Sequence, residues 1–220
     1  MCGRSVLTTP IDAMVQLFDA AAANTMPDIP NFNVCPTNDV PVVLGTAEAR
    51  RNLVAMRWGF IPNWYKAPND GPLLINARAE TIAEKPAFRS ACRARRCLLP
   101  VDGFYEWTKG PNGERLPYYI RRKDDSPMVF AGIWQGWGED ALRTCAMVTV
   151  AANAEMSEIH HRMPVILSPE DWPLWLGEAG KGAAVLMKPA PEGVLSFHRV
   201  DPAVNSNRAF GAQLIEPIAA

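Results

Sequence analysis

The sequence carries almost no net charge: 22 lysines and arginines stand against 23 aspartates and glutamates. No global positive field draws such a chain onto nucleic acid, so any DNA binding has to rest on a local basic cluster. The five cysteines, Cys2, Cys35, Cys92, Cys97 and Cys145, form no C-x-x-C pair and no zinc-ligand spacing, and their number is odd. Reduced thiols in a cytoplasm are the simplest reading, with no metal site expected. No stretch of roughly 18 uncharged apolar residues exists, so no membrane span is expected. Asp12 and Asp19 interrupt the only apolar run near the start, which argues against a signal peptide, and no apolar segment precedes Cys2 as a lipoprotein would require. Internal repeats and low-complexity tracts are absent. So are a Gly-rich phosphate loop, a G-x-S-x-G elbow, an H-E-x-x-H pair and a dinucleotide fingerprint, and no cofactor is expected.

What is present is an ordinary globular composition, 48% apolar and 20% charged over 220 residues, the size of one domain spanning 1–220. Twenty prolines disfavour long helices and favour strands, turns and irregular loops. Helical spacing marks 11–23 and 81–96, and a short helix is expected at 169–177. Strands are expected at 40–44, 53–58, 73–75, 97–101, 103–108, 116–121, 128–134, 143–151 and 183–187, with 59–72 a loop. Pro111-Asn112-Gly113 makes a good hairpin connection. The pattern predicts an α+β domain, mainly antiparallel sheet with a partly closed, barrel-like core and flanking helices.

Several residues could carry chemistry. Removal of Met1 would leave Cys2 with a free amine and a thiol on adjacent carbons, both partly nucleophilic near neutral pH. A 1,2-aminothiol condenses with an aldehyde to an imine, and its thiol then closes a thiazolidine ring. A cysteine at position 2 by chance is the plain alternative. Glu106 lies between aromatics in a strand; if buried, its pKa rises and suits acid–base work, and if solvent-facing it is unremarkable. Asn76 and Arg78 follow an apolar strand, placed to orient a reacting group and hold a phosphate, or simply to cap the strand and pair with a surface carboxylate. His160 and His161 are adjacent and so cannot share one face of a regular element, which speaks against a shared metal site. A histidine beside Arg162 could donate a proton or be an ordinary loop residue. Trp64 and Tyr65 sit in a loop, where aromatics either stack on unpaired bases or cover a core edge. Arg89, Arg93 and Arg96 follow helical spacing, as a solvated face also would.

Taken in order, the blocks MCGR, Asn33-Val34-Cys35-Pro36, Trp58-Gly59, NARAET, RRCLLPVDGFYEW, HHRMP and Val204-Asn205 resemble the SOS-response-associated peptidase (SRAP) family, over nearly the whole chain. The resemblance is to the abasic-site-shielding proteins of bacteria and the catalytic domain of their vertebrate counterpart. It implies one α+β domain with a positively charged cleft for single-stranded DNA, acting as a monomer, and covalent capture of the abasic-site aldehyde during DNA repair. It implies Cys2 as nucleophile, Asn76 as the residue positioning the cysteine amine or the sugar, Glu106 as acid–base residue and His160 as catalytic histidine. Arg4, Arg78 and Arg162 match DNA-contacting positions, and Pro36 with Trp64 or Tyr65 matches places that wedge and stack against bases. Lyase activity is an implied side reaction. Two other functions fit some of the same residues: an N-terminal-nucleophile peptidase, and a non-covalent single-strand-binding module. The covalent reading requires the terminus to stand by Asn76, Glu106 and His160 with room for a strand to approach.

Overall fold

A computed structural model describes residues 2–46, 50–139 and 141–218. Runs rich in β-branched and aromatic residues, separated by proline, glycine and asparagine, form the strands. In chain order the elements are β1 (Ser5–Leu7), α1 (Ile11–Leu17), β2 (Ala20–Ala22), β3 (Asn31–Val34), β4 (Asp39–Leu44), β5 (Arg51–Trp58), β6 (Asn76–Arg78) and α2 (Arg89–Ala94). They continue with β7 (Arg96–Val101), β8 (Gly103–Lys109), β9 (Arg115–Arg122), β10 (Met128–Trp137), β11 (Leu142–Ala151), α3 (Ala154–Ser157), β12 (Arg162–Pro164), α4 (Trp172–Leu176) and β13 (Leu195–Arg199).

Strands β11, β10, β7, β4 and β5 pair in that order, and β5 pairs back onto β11, closing a ring of five. An odd ring cannot alternate strand direction all the way round, so one pair must be parallel. That pair is β5–β11, through Thr144↔Arg57 and Cys145↔Trp58. Closure leaves no free edge within the ring. The interior is tight: a Cβ on Gly132 would run into Leu99 and lie 2.9 Å from the Cys97 sulfur. Beyond the ring, β11 also takes β6 in parallel and β12 antiparallel.

A second sheet, ordered β13-β9-β8-β1-β3, packs beside the barrel. Side chains alternate across it with a period of two. The in-register row Phe104, Ile120 and Phe197 joins the main core, where Phe104 meets Phe130 of the barrel edge-on at 5.7 Å. The next row, Tyr105 and Tyr119, belongs to a smaller cluster with Val6, Val200, Val204 and Leu214 on the opposite face. The following residue, Glu106, is thereby returned to the barrel side.

Four sequence expectations need correction. The helix expected at 11–23 stops at Leu17, and Ala20–Ala22 is a strand parallel to β5; burial of Phe18 and Ala20 and pairing with an available edge override alanine's helix propensity. The helix expected at 81–96 is confined to Arg89–Ala94, because Pro86 lacks an N–H and biases Lys85 away from helix. The strand expected at 73–75 lies three residues later, at Asn76–Arg78, where β11 offers a pairing edge. Residues expected as a strand at 183–187 form a 3-10 turn over Ala183–Leu186, entered through left-handed Gly182 and with Val185 exposed.

Candidate active site

The start of the chain runs alongside β8. The Tyr105 N–H donates to the Arg4 carbonyl at 3.0 Å and the Asp102 N–H to the Val6 carbonyl at 2.9 Å. Asp102 pins the far end of this segment by accepting from the N–H groups of Thr8 and Thr9 and from the Thr9 hydroxyl. Cys2 is held from the barrel side: Asn76 Nδ2 donates to the Cys2 carbonyl at 3.0 Å. Its Sγ lies 3.8 Å from the Arg4 carbonyl.

Glu106, 2% exposed, sits close enough to Cys2 that its charge opposes thiolate formation. Burial, and then Glu106, pushes the Cys2 thiol well above its ordinary value. Burial likewise raises the Glu106 carboxyl. The site therefore favours neutral forms of both groups. Asn76 Oδ1 is shielded from solvent and has no hydrogen-bond partner among the described residues.

His160 is carried by the neighbouring strand pair. It follows α3, whose N-cap Asn153 accepts from the Met156 N–H. His160 Nδ1 lies 3.0 Å from the Arg162 backbone N–H and 3.2 Å from the Arg162 carbonyl, so the Arg162 backbone fixes the ring's position. Burial lowers the His160 pKa, which favours the neutral ring. The His161 ring stacks on it at 4.4 Å between centroids. The expectation that adjacent histidines diverge holds for regular strands and helices; these two lie outside both, and their rings meet. Arg162 is 8% exposed and bound inside: Nη1 and Nη2 engage Glu80 at 2.6 and 2.9 Å, and Nη2 also donates to the Thr149 carbonyl at 2.7 Å. Since Thr149 pairs with Arg78 on one edge and Pro164 on the other, β11 links His160 to the strand of Asn76.

The remaining predicted residues spread around this centre. Arg4 Nη1 donates to Asn33 Oδ1 at 2.6 Å and to the Val204 carbonyl at 2.8 Å, so that nitrogen is committed inward. Arg78 is exposed, and Pro36 is half-buried in the turn after β3. Trp64 is 58% exposed, and the half-buried Tyr65 meets it edge-on at 6.4 Å. A cleft of about 560 Å³ runs between Trp64, Leu74, Asn76, Arg78, Lys85 and Phe88. It brings an exposed aromatic, two cations and the Cys2-holding amide onto one surface.

Thus Cys2, Asn76 and Glu106 form one cluster, Arg78 and Trp64 open from it, and His160 stands on the adjoining strands. In the chain that begins at Met1, Cys2 is 1% exposed; Met1 itself lies outside the described residues. Excision of Met1 removes the residue bonded to Cys2 and turns the Cys2 nitrogen into the terminus. Sequence reasoning left Asn33, Glu80 and Asp102 without roles. Each lies in or beside a block already singled out, but their partners are 82 residues away for Glu80 and 29 for Asn33, beyond any local pattern. Among the described residues no group of three or more His, Cys, Asp or Glu is gathered as a metal site would need, and no helix is long and apolar enough to cross a membrane.

The profile described as SOS response associated peptidase (SRAP) matches residues 1–207. The abasic site processing protein YoqW of Bacillus subtilis is 33% identical over 225 residues, covering 98% of this chain and 99% of that protein. The abasic site processing protein YedK of Escherichia coli is 31% identical, covering 99% of this chain and 100% of that protein. A crystal structure of a Bacteroides thetaiotaomicron protein superposes with a TM-score of 0.86 over 99% of this chain and 100% of its own, at 22% identity, a likeness of fold.

Proposed function

This chain belongs to the SOS response associated peptidase (SRAP) family, and on that premise we propose that it processes abasic sites by covalent capture in single-stranded DNA, with Cys2 as the nucleophile. The observation that carries the reading is the seat of Cys2: its carbonyl is held by Asn76 and its side chain stands beside buried Glu106.

The raised thiol decides the order of events. A thiol held protonated is a weak nucleophile, so the Cys2 amine attacks C1′ of the open-chain sugar first. Proton transfer from Glu106 expels the carbinolamine hydroxyl as water and leaves an imine. The thiol then adds to the imine carbon and its proton passes to nitrogen, forming the S–C1′ bond and closing the thiazolidine. His160 assists opening of the closed sugar at the ring oxygen. Asn76 Oδ1 accepts from the amine or from a sugar hydroxyl. Holding these groups in one geometry is worth as much as about 7–11 kcal/mol of barrier in favourable intramolecular cases. Arg78 and Arg4 contact phosphates, Pro36 wedges and Trp64 with Tyr65 stacks on neighbouring bases, and Arg162 serves this surface chiefly by fixing His160. The protein acts as a monomer in the cytoplasm, and elimination from the imine before ring closure gives strand cleavage as a side activity.

The family description names a peptidase. A protease thiolate is stabilised by a nearby cation, whereas Glu106 and burial oppose the Cys2 thiolate, which favours aldehyde capture over peptide cleavage in trans. The test is incubation with a single-stranded oligonucleotide bearing one abasic site. Expected are a heat-stable shifted band, an intact mass lacking Met1, and an adduct mass equal to protein plus DNA less one water. Peptide turnover without a DNA adduct would reverse the assignment.

A further inference from the structure

The row through Glu106 continues beyond it. Tyr118 of β9 pairs with Glu106 of β8, and Arg199 of β13 pairs with Tyr118. Directly opposed residues share a face, so the three form one line, Arg199 standing two strand spacings, about 10 Å, from Glu106. The Arg199 guanidinium lies over the Tyr118 ring, 5.6 Å from its centroid.

Arg199 differs from several of the other partly buried arginines. Arg51 is paired with Glu178, Arg122 with Asp124, Arg162 with Glu80, and Arg96 donates to the Trp175 carbonyl. Among the described residues Arg199 has no carboxylate partner, and its Nε is shielded from solvent with no acceptor. Other buried side-chain atoms without a partner among the described residues are found on Arg4, Asn76 and Arg162 of the site, and on Ser196 of β13. A buried donor without an acceptor is costly and calls for a physical reason. A ligand that brings its own acceptors is one.

We propose that Arg199, held flat on Tyr118, binds a phosphodiester of the DNA strand, at a linkage flanking the sugar captured beside Glu106. This rests on the reading of the site as one that takes single-stranded DNA. A guanidinium stacked on a ring keeps its edge N–H groups directed outward in the plane that matches two phosphate oxygens. The near-zero net charge requires such local cations. Arg78 supplies one from the barrel side and Arg199 one from the second sheet, so the strand is held across the site from both.

The experiment measures binding of an oligonucleotide carrying a tetrahydrofuran residue, an abasic analogue without an aldehyde, across a range of sodium chloride concentrations. Arg199→Gln should weaken binding roughly tenfold at low salt and reduce the salt slope by about 0.7, the value of one phosphate contact on a single strand. Arg199→Lys should restore most of the slope. A second measurement changes the DNA: methylphosphonate is placed at one linkage at a time. One linkage beside the lesion should weaken the wild type, and the same substitution should leave Arg199→Gln unaffected. An unchanged slope in Arg199→Gln, or a wild type indifferent to every flanking methylphosphonate, overturns the assignment. Adduct formation with aldehydic abasic DNA is measured in parallel. If the adduct forms while those results are negative, only Arg199 was misassigned; if wild type forms none, the reading of the site fails and this assignment with it.

Discussion

Two regions of the molecule bury thiols, with different consequences. Cys97 and Cys145 lie fully buried in the barrel ring, and Cys2 is 1% exposed beside the second sheet. Burial raises all three thiols. Measured by burial and acidity alone, Cys2 is no more reactive than its barrel counterparts. What differs is the surroundings. Cys145 Sγ faces the Arg57 carbonyl at 3.7 Å, within a closed ring. Cys2 has Asn76 on its carbonyl and Glu106 at its side, and it gains an amine once Met1 is removed. On the proposed function, the comparison assigns reactivity to the amine and its acid–base neighbour, with the thiol as the second, ring-closing nucleophile.

The largest expected effect tests that contrast directly. Cys2→Ala should abolish the heat-stable adduct, while Cys145→Ala should leave its yield unchanged and lower stability by about 1–3 kcal/mol. Gel shift after boiling and urea melts read the two quantities. A stable adduct in Cys2→Ala, or loss of the adduct in a fully stable Cys145→Ala, would break the distinction.

Glu106→Gln comes next. Removing the proton carrier should slow adduct formation by roughly 10²–10⁴-fold, at unchanged affinity for a tetrahydrofuran-containing strand. The same substitution has a stability signature. A carboxyl whose folded pKa is raised binds its proton more tightly in the native state, so its contribution is present at low pH and is lost as pH rises through the folded value. Relative to wild type, Glu106→Gln should therefore become more stable as pH increases from 4 to 8. A difference independent of pH would mean that Glu106 is not held in its protonated form by burial.

The same contrast explains what was legible in the sequence. Long strands such as β10 and β11 are continuous apolar or β-branched runs, and periodicity reveals them. Short β1, β3, β6, β12 and β13 are recognisable only by their partners: Asn76–Arg78 is polar and three residues long, and becomes a strand because β11 offers an edge. The parallel closure of the ring follows from strand count, which no local pattern contains. At the site, Cys2, Asn76, Glu106 and His160 stood out by residue type within their motif blocks. Arg162 shows the limit of that approach, because its residue type points to phosphate while its buried pairing with Glu80 is set by a strand pairing invisible in sequence. Arg199 shows the converse: an unremarkable arginine acquires interest only through its row and its lack of a carboxylate.

A smaller effect is expected within the barrel. Gly132→Ala forces a methyl against Leu99 and the Cys97 sulfur, and overpacking of this kind costs about 1–3 kcal/mol. Urea melts should record that loss, while adduct yield at a temperature where the variant is folded should match wild type. A crosslinking defect in the folded variant would show that barrel and site are mechanically coupled through β11, where Gly132 pairs with Met147 and Met147 with Asn76.

The smallest effect concerns the link between them. Glu80 holds the Arg162 guanidinium, and the Arg162 N–H holds His160 Nδ1. Glu80→Gln keeps the shape and removes the charge. Its side chain is 51% exposed, so solvent screens the pair and the stability loss should be about 1 kcal/mol or less. The pH dependence has the opposite sense to that of Glu106. The hydrogen bond from Arg162 lowers the Glu80 pKa, so this stabilisation is complete above the unfolded carboxyl value, about 4.3, and is lost as pH falls through the lower folded value. Wild type should thus exceed Glu80→Gln in stability at pH 7 and converge with it as pH falls through that lower folded value. Loosening of His160 should slow adduct formation severalfold and shift the pH of half-maximal rate, a change that loss of stability alone would not produce. An unshifted rate profile would leave Glu80 and Arg162 as scaffold and return the proton chemistry to Glu106 alone.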